Sequence, residues 1–237
     1  MKMMKIFGIL IFAIGALIAM ILLGFSVWAD FEAKLFSAAI SGDAGLPTLK
    51  CPVIISESEE GTVSAKVKNP LDREATQKVD AHISDGFLTL IRKERDLFKL
   101  GPGESRSLEW IVTPDNAVFN RAIFVRIVAK GGYPTPERQG TCGILVFQFA
   151  NLSGMQMLAL TICASLFFMA VGIFLWTNGK RALKGRDLNV ARAMIVLALF
   201  MLAGIITTLM GWWLLGFLIF LVSILLIGGI IAYFISG

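Results

Sequence analysis

Residues 6–27 read IFGILIFAIGALIAMILLGFSV, 22 positions without a charged side chain. A helix rises 1.5 Å per residue and a bilayer's hydrocarbon core is about 30 Å thick, so this stretch is long enough to cross it. The same reading extends outward along the chain. Met155–Trp176 supplies a second span, and residues 193–237 form a charge-free block long enough for two more. Gly211, Trp212 and Trp213 divide that block into Ala193–Met210 and Leu214–Phe234, because glycine permits a tight turn and tryptophan favours the headgroup level. The sequence therefore predicts four transmembrane helices: helix 1 within residues 1–29, helix 2 within 151–178, and helices 3 and 4 within 193–237 with a hairpin at 211–213.

Composition agrees. Of 237 residues, 56% are hydrophobic and 16% charged, against about 45–50% and about 25% in soluble domains. The net charge of +5 comes from positions that flank the spans, so it reads as a topology signal and not as a nucleic-acid surface. Lys2 and Lys5 precede helix 1, and Lys180, Arg181, Lys184, Arg186 and Arg192 crowd the loop 179–192 against a single Asp187. Cytoplasmic flanks are enriched in Lys and Arg, so both termini and that basic loop are expected inside. Residues 30–150 and the 211–213 hairpin are then expected outside. A competing reading takes the N-terminus as a signal peptide cleaved after Ala29. Its apolar stretch exceeds the usual core of about 7–15 residues, which favours a retained helix.

Residues 30–150 change character to short alternating runs separated by turn residues. Seven strands are expected: Thr48–Ser56, Thr62–Asn69, Gln77–Ser84, Phe87–Lys93, Ser107–Thr113, Ala122–Ala129 and Thr141–Phe149. In the second of these Val63, Ala65 and Val67 share one face while Ser64, Lys66 and Lys68 share the other, the period of a half-buried strand. Val79, Ala81 and Ile83, and likewise Leu108, Trp110 and Val112, should face a core. Asp85-Gly86 is a hairpin signal, and Asn69-Pro70 and Gly101-Pro102-Gly103 break ladders. Strands at this spacing indicate an antiparallel sandwich. Cys51 and Cys142 both fall in this region, where a disulfide can persist. A bridge closing a loop of about 90 residues would remove about 4–5 kcal/mol of unfolded-state entropy on the loop-closure account. Cys163 lies mid-span and reads as a small packing residue.

The run Gly61–Pro70, then Phe98–Ser105 with its Leu-Gly-Pro-Gly-Glu turn, then Leu108-Glu109-Trp110, resembles bacterial immunoglobulin-type domains of the CARDB kind over about residues 48–149. That resemblance implies an immunoglobulin-like sandwich with a binding or spacing role and names no substrate. The layout as a whole is similar to claudin-like four-helix proteins in its topology alone. The tryptophan–Gly-Leu-Trp–Cys–Cys signature of that family is absent, and Cys51 and Cys142 are far apart in sequence.

Residues able to do chemistry are sparse. His82 is the only histidine; its neighbours Ala81 and Ile83 are read as inward, so His82 is expected to face solvent, with no partner at metal-ligand spacing. Glu57, Glu59 and Glu60 are read as a solvated turn in preference to a cation site. The spans carry no ionisable residue, which disfavours an ion-coupled transporter or pump. Small-xxx-small spacing at Gly15 and Ala19, and at Gly228 and Ala232, suits close helix packing, within the bundle or against a partner. The loop 131–140 presents Tyr133 and Arg138, residue types frequent at binding hot spots.

The expectation is a non-catalytic membrane accessory or assembly subunit. Its partners would be other integral membrane subunits or a second copy of the chain, together with membrane lipid, and neither cofactor, metal nor nucleic acid is called for. A surface receptor or adhesion module is the main alternative, and a transporter or channel component the next. The one glycosylation sequon, Asn151-Leu152-Ser153, lies against the second span, which favours a bacterial or archaeal plasma membrane.

Overall fold

The computed structural model describes residues 2–40, 42–131, 133–147, 151–178 and 185–235, with the side chains of Lys2, Met3, Arg186 and residues 231–235 left aside. Lys180, Arg181, Lys184, Gly132 and Phe149, and the side chains of Arg186 and Ala232, therefore lie outside the described residues. Two compact units emerge, one of Met1–Val27 with Leu158–Gly237, the other of Trp28–Met157.

The first unit is helical. Helices α1 (Lys2–Leu35), α2 (Gly154–Thr177), α3 (Arg186–Leu209) and α4 (Trp213–Ile235) are each long, and each contains a stretch apolar enough to cross a membrane; the end of α1 from Trp28 and the start of α2 up to Met157 belong to the second unit. Gly211, at φ +69°, turns the chain between α3 and α4, within the break read from sequence. Phe12, Ala16 and Ala19 of α1, Met169 and Trp176 of α2, and Met194, Leu197 and Met201 of α3 share one buried cluster. Gly15 packs directly on α2: a Cβ there would crowd the backbone at Ser165 and Met169, and Ser165 Oγ donates to the Gly15 carbonyl at 2.9 Å. At one end Lys5 pairs with Asp187 and lies 5.4 Å from the Trp176 ring centre, while Trp176 Nε1 donates to the Asp187 carbonyl at 3.0 Å.

The second unit carries eight strands: β1 (Ala44–Gly45), β2 (Ile54–Ile55), β3 (Gly61–Lys68), β4 (Ala75–Asp85), β5 (Phe87–Leu100), β6 (Ser105–Val112), β7 (Ala122–Lys130) and β8 (Arg138–Val146). One sheet runs β1-β8-β7-β4-β5 with β2 also on β8; the other is the pair β3-β6. Val63, Ala65, Val67, Leu108, Trp110 and Val112 from the small sheet close on Val79, Ala81, Ile83, Val125, Ile127 and Ile144 from the large one. On β3, β4 and β6 those inward faces are the ones the alternation assigned.

Three expectations are corrected. The first strand, read as Thr48–Ser56, is reduced to Ile54–Ile55, and Ala44–Gly45 adds a second short pairing. Both pair with β8 in parallel, not antiparallel. Pro47 and Pro52 lack the amide proton a continuous ladder needs, so the segment forms ladder pairs with β8 only on either side of them. Next, β5 continues beyond Lys93 to Leu100, and that extension pairs with β4 residue for residue. Its charged second half shows no apolar alternation because it is an edge strand largely in solvent. Finally, α1 does not stop near residue 29. It runs to Leu35 and ends at Ser37, whose φ of +51° is a left-handed helix terminator.

That extension covers the outer face of the large sheet. Ala29, 0% exposed, lies so close to Gly143 of β8 that a Cβ on Gly143 would overlap the Ala29 carbonyl. Gly143→Ala should therefore lower stability by about 2 kcal/mol, the order expected of overpacking. Gly45→Ala, where an added Cβ meets open space, should leave the melting temperature of the detergent-solubilised protein unchanged. Thermal unfolding of both variants beside the wild type checks this.

Candidate functional site

The chemically distinctive side chains of the second unit gather around the end of α1 and the start of α2, both of which belong to that unit. β7 reads AIFVRIVAK and is buried almost throughout, the pattern of a strand covered on both faces. Ile123, Val125 and Ile127 point into the inter-sheet core. Ala122, Phe124 and Arg126 lie on the other face by alternation, beneath the end of α1. There Phe124 packs against Phe36 at 6.1 Å and edge-on to Trp28 at 6.5 Å between ring centres, within an apolar cluster that includes Ala33, Val118 and Ala122.

Arg126 completes that face. It is 3% exposed, and its guanidinium is spent on the end of α1. Nε donates to the Phe36 carbonyl at 2.8 Å, Nη2 to Lys34 at 2.6 Å and Nη1 to Ile40 at 2.8 Å. Nη1 also reaches Gln139 Oε1 at 3.0 Å. The last carbonyls of a helix have no intrahelical partner and carry about half a unit of negative charge between them. A buried cation is what such a terminus accepts, and burial lowers the Arg126 pKa from its ordinary value.

Two further polar groups fix the same extension. Asp30 Oδ1 accepts from the Gly143 amide at 3.0 Å. His82 Nδ1 lies 2.9 Å from Ser37 Oγ. His82 is 5% exposed, which corrects the expectation that it faces solvent: the side of β4 opposite the sandwich core is covered by the α1 terminus instead of water.

The N-terminus of α2 is held in a complementary way. Glu59 Oε2 accepts from the Gly154 amide at 2.6 Å and the Ser56 amide at 3.3 Å, placing a carboxylate at the positive end of the helix. Ser153 and Gln156 form a reciprocal capping box at 3.0 and 3.3 Å, saturating two more amides. Of the three glutamates read as a solvated turn, Glu57 and Glu60 are exposed and Glu59 is a helix cap. Among the described residues no three His, Cys, Asp or Glu side chains are grouped to hold a metal.

Cys51 and Cys142 are disulfide-bonded, with Cα atoms 6.5 Å apart; Cys142 lies in β8, Cys51 just before β2. Cys163 is exposed on α2. Tyr133 projects from the β7–β8 connection at 89% exposure, its carbonyl accepting from Arg73 Nη2 at 3.1 Å. Arg138 is half-buried at the start of β8, opposite Ala129. Gly15 and Ala19 face the bundle interior, whereas Gly228 opens onto free space. On β4, burial alone would raise the Asp80 carboxyl, but hydrogen bonds from Arg95 and Lys78 hold it below the usual carboxylate range.

Arg126, Asp30 and the capping role of Glu59 were not singled out from sequence. The signal was present. In Ala122–Lys130 every position except Arg126 and Lys130 is apolar, so no face of that strand is a water face, and an arginine within it must find buried acceptors.

No protein-family model matches the chain, and no curated protein matches it. Solved structures give partial likenesses. Bacteroides uniformis β-glucuronidase 2 is 21% identical, with TM-score 0.29 over 40% of this chain and 12% of its own. Red sea bream transglutaminase is 11% identical, TM-score 0.33, over 43% and 17%. The CARDB domain of the PF1109 protein from Pyrococcus furiosus, solved with di-metal ions, is 18% identical, TM-score 0.31, over 42% and 84%. The chain thus spans only a small fraction of the first two.

Replacing Arg126 with Met, which fills the volume without donors, should cost about 3 kcal/mol or more, since several buried carbonyls lose their partner. Amide exchange in residues 35–40 should quicken more than in β3 and β6. His82 supplies a pH dependence. Burial foremost, then the charge of Lys93, lowers its pKa; Asp80 opposes them and Arg126 adds to them. The folded state therefore binds its proton less readily than the unfolded chain, whose histidine titrates near about 6.5. The neutral-state contribution is fully present above that value and is lost as pH falls through it toward the lower folded pKa. The melting temperature should fall as the pH drops below about 6.5, and His82→Asn should flatten that component of the profile.

Proposed function

We propose that this protein is a non-catalytic integral membrane accessory or assembly subunit, with its β unit outside the membrane and both termini inside. The β unit is read as an immunoglobulin-like sandwich. The observation that carries the reading is where the polar chemistry goes. Arg126 and His82 direct their hydrogen bonds to the end of α1, Glu59 to the start of α2, and Asp30, on α1 itself, takes the Gly143 amide of β8, so these side chains secure helix ends and are not left free to meet a substrate. A folded module whose buried polar residues are spent on its own structure is suited to offering a partner a rigid surface.

Other features support the arrangement. The Lys5–Asp187 pair brings the basic N-terminus and the start of α3 to the same end of the helical unit, as the positive-inside rule requires of two cytoplasmic flanks. The Cys51–Cys142 disulfide suits an oxidising compartment. Ala29 is buried within a continuous helix, which favours retention of helix 1 over cleavage after that residue. The face of α4 bearing Gly228 and Gly229 is open, and it offers a close-approach surface to another membrane helix.

Solubilisation from the native membrane in mild detergent with a crosslinker present tests the proposal. Stoichiometric recovery of other membrane subunits is the expected result. Recovery as a lone monomer would sink it and shift weight to ligand recognition through the exposed Tyr133 loop.

A further inference from the structure

The large sheet has two ends, and strand register shows which features share each. At one end Ala122 of β7 pairs with Leu145 of β8, and Leu145 pairs with Ile54 of β2. Gly154, the first residue of α2, packs against the Ile54 carbonyl. Ile83 pairs with Val125, so the β4–β5 hairpin at Asp85-Gly86 also falls at this helix-bearing end. The turn Val118–Arg121 joins it there, since the Arg121 carbonyl accepts from the Val146 amide at 2.8 Å. The loop carrying Asp115 and Asn116 reaches the hairpin as well: Asn116 Nδ2 donates to Asp85 Oδ1 at 3.2 Å. Tyr133 projects from the opposite end, beyond the Ala129–Arg138 pair.

The helix-bearing end exposes large apolar side chains. Phe87 is 60% exposed, Phe119 73%, Leu88 49% and Leu90 52%. Elsewhere in this unit the β-strand positions Leu97 and Ile111 are isolated on separate strands. Phe119 is unusual in a second way. It has φ +52° and is followed by Asn120 at +54°, a left-handed pair that glycine and asparagine adopt readily and a phenylalanine does not. A phenylalanine held in a strained turn with its ring outside the core gains nothing from folding alone, and retained strain of this kind marks positions with a task.

We infer that Phe87, Leu88, Leu90 and Phe119 form an apolar tip that inserts into the headgroup–acyl boundary of the membrane crossed by the chain's own helices. Lipid is the occupant favoured because the tip shares its end of the sheet with the start of α2 and because aromatic and leucine side chains partition into that layer. Arg121, exposed beside Phe119, is placed to meet a lipid phosphate, while Asp85 and Asp115 are the acidic groups nearest in sequence that the boundary must leave in water. Insertion would seat the β unit on the membrane surface by contacts additional to its helices. This inference rests on the membrane reading proposed above.

The test uses the full chain with Cys163→Ala, so that the disulfide cysteines remain and no other thiol is present. Single cysteines replace Phe87, Phe119, Tyr133 or Leu17, the last exposed on α1, and each carries the same polarity-sensitive fluorophore. The proteins are reconstituted into phosphatidylcholine–phosphatidylglycerol vesicles. Probes at 87 and 119 should shift to the blue and be quenched by lipid-borne nitroxide but not by aqueous iodide, while 133 responds only to iodide. Quenching by iodide at 87 and 119, with 17 still quenched by lipid, overturns the tip and leaves the membrane reading standing. Loss of lipid quenching at 17 overturns both. Shielding of 87 and 119 from both quenchers overturns lipid in favour of a protein partner. Equal lipid quenching at 133 overturns it too, by showing that the dye and not the tip drives insertion.

Discussion

A helix that ends inside a folded unit leaves carbonyl groups that water cannot reach, and the rest of the β unit is arranged around meeting that demand for α1. Arg126 meets it with donors to Lys34, Phe36 and Ile40. The guanidinium is suited to the task because its donors are fixed in a plane and its charge is permanent. Burying it without a carboxylate partner would be costly, yet the negative end of the helix and the Gln139 side chain replace much of the lost hydration. Neither group is stable in place without the other. Removing the arginine strands the carbonyls, and removing the helix strands the arginine.

Once α1 is held there, several local choices become obligatory. Its close approach to β8 admits only a glycine at 143, and the freed backbone amide of that residue is taken by Asp30. Phe124 is enclosed by Trp28 and Phe36, and His82 exchanges water for Ser37 Oγ. The large sheet thus buries both faces over β7 and much of β4, while the small β3–β6 sheet keeps one wet face. The small sheet shows the clean alternation of a half-buried pair, and the large one does not.

This difference sets what could be read from sequence. Val63, Ala65, Val67 and Leu108, Trp110, Val112 announced their inward faces because their outward neighbours, Ile111 apart, are polar. The four long apolar helices and the turn at Gly211 were legible because span length and the absence of charge are coarse, robust signals. His82 was misplaced because its exposure was inferred from alternation alone, which holds only where one face meets water. The α1 extension was missed because Trp28–Leu35 mixes Asp30, Glu32 and Lys34 with apolar residues, and a search for apolar spans stops at the first charge. β1 and β2 were misjudged because two-residue parallel pairings leave almost no periodic trace. Glu59 looked like its exposed neighbours, since a cap is defined by an amide nearly a hundred residues away.

The anchoring of the two helices follows one electrostatic logic. α1 arrives with its carbonyl end and meets a cation; α2 departs with its amide end and meets an anion. Exchanging Arg126 and Glu59 would set like against like at both termini, so the sign of each charge is dictated by the direction in which the chain passes through the unit. The disulfide joins the two anchors covalently. Cys142 adjoins Gly143, the residue against which Ala29 and Asp30 rest, and Cys51 precedes the β2 segment that leads to Glu59. A crosslink placed elsewhere in the unit could restrict the unfolded chain comparably. At this position it also ties the strand gripping the incoming helix to the segment gripping the outgoing one, so that neither anchor can separate from the other without first disrupting β8.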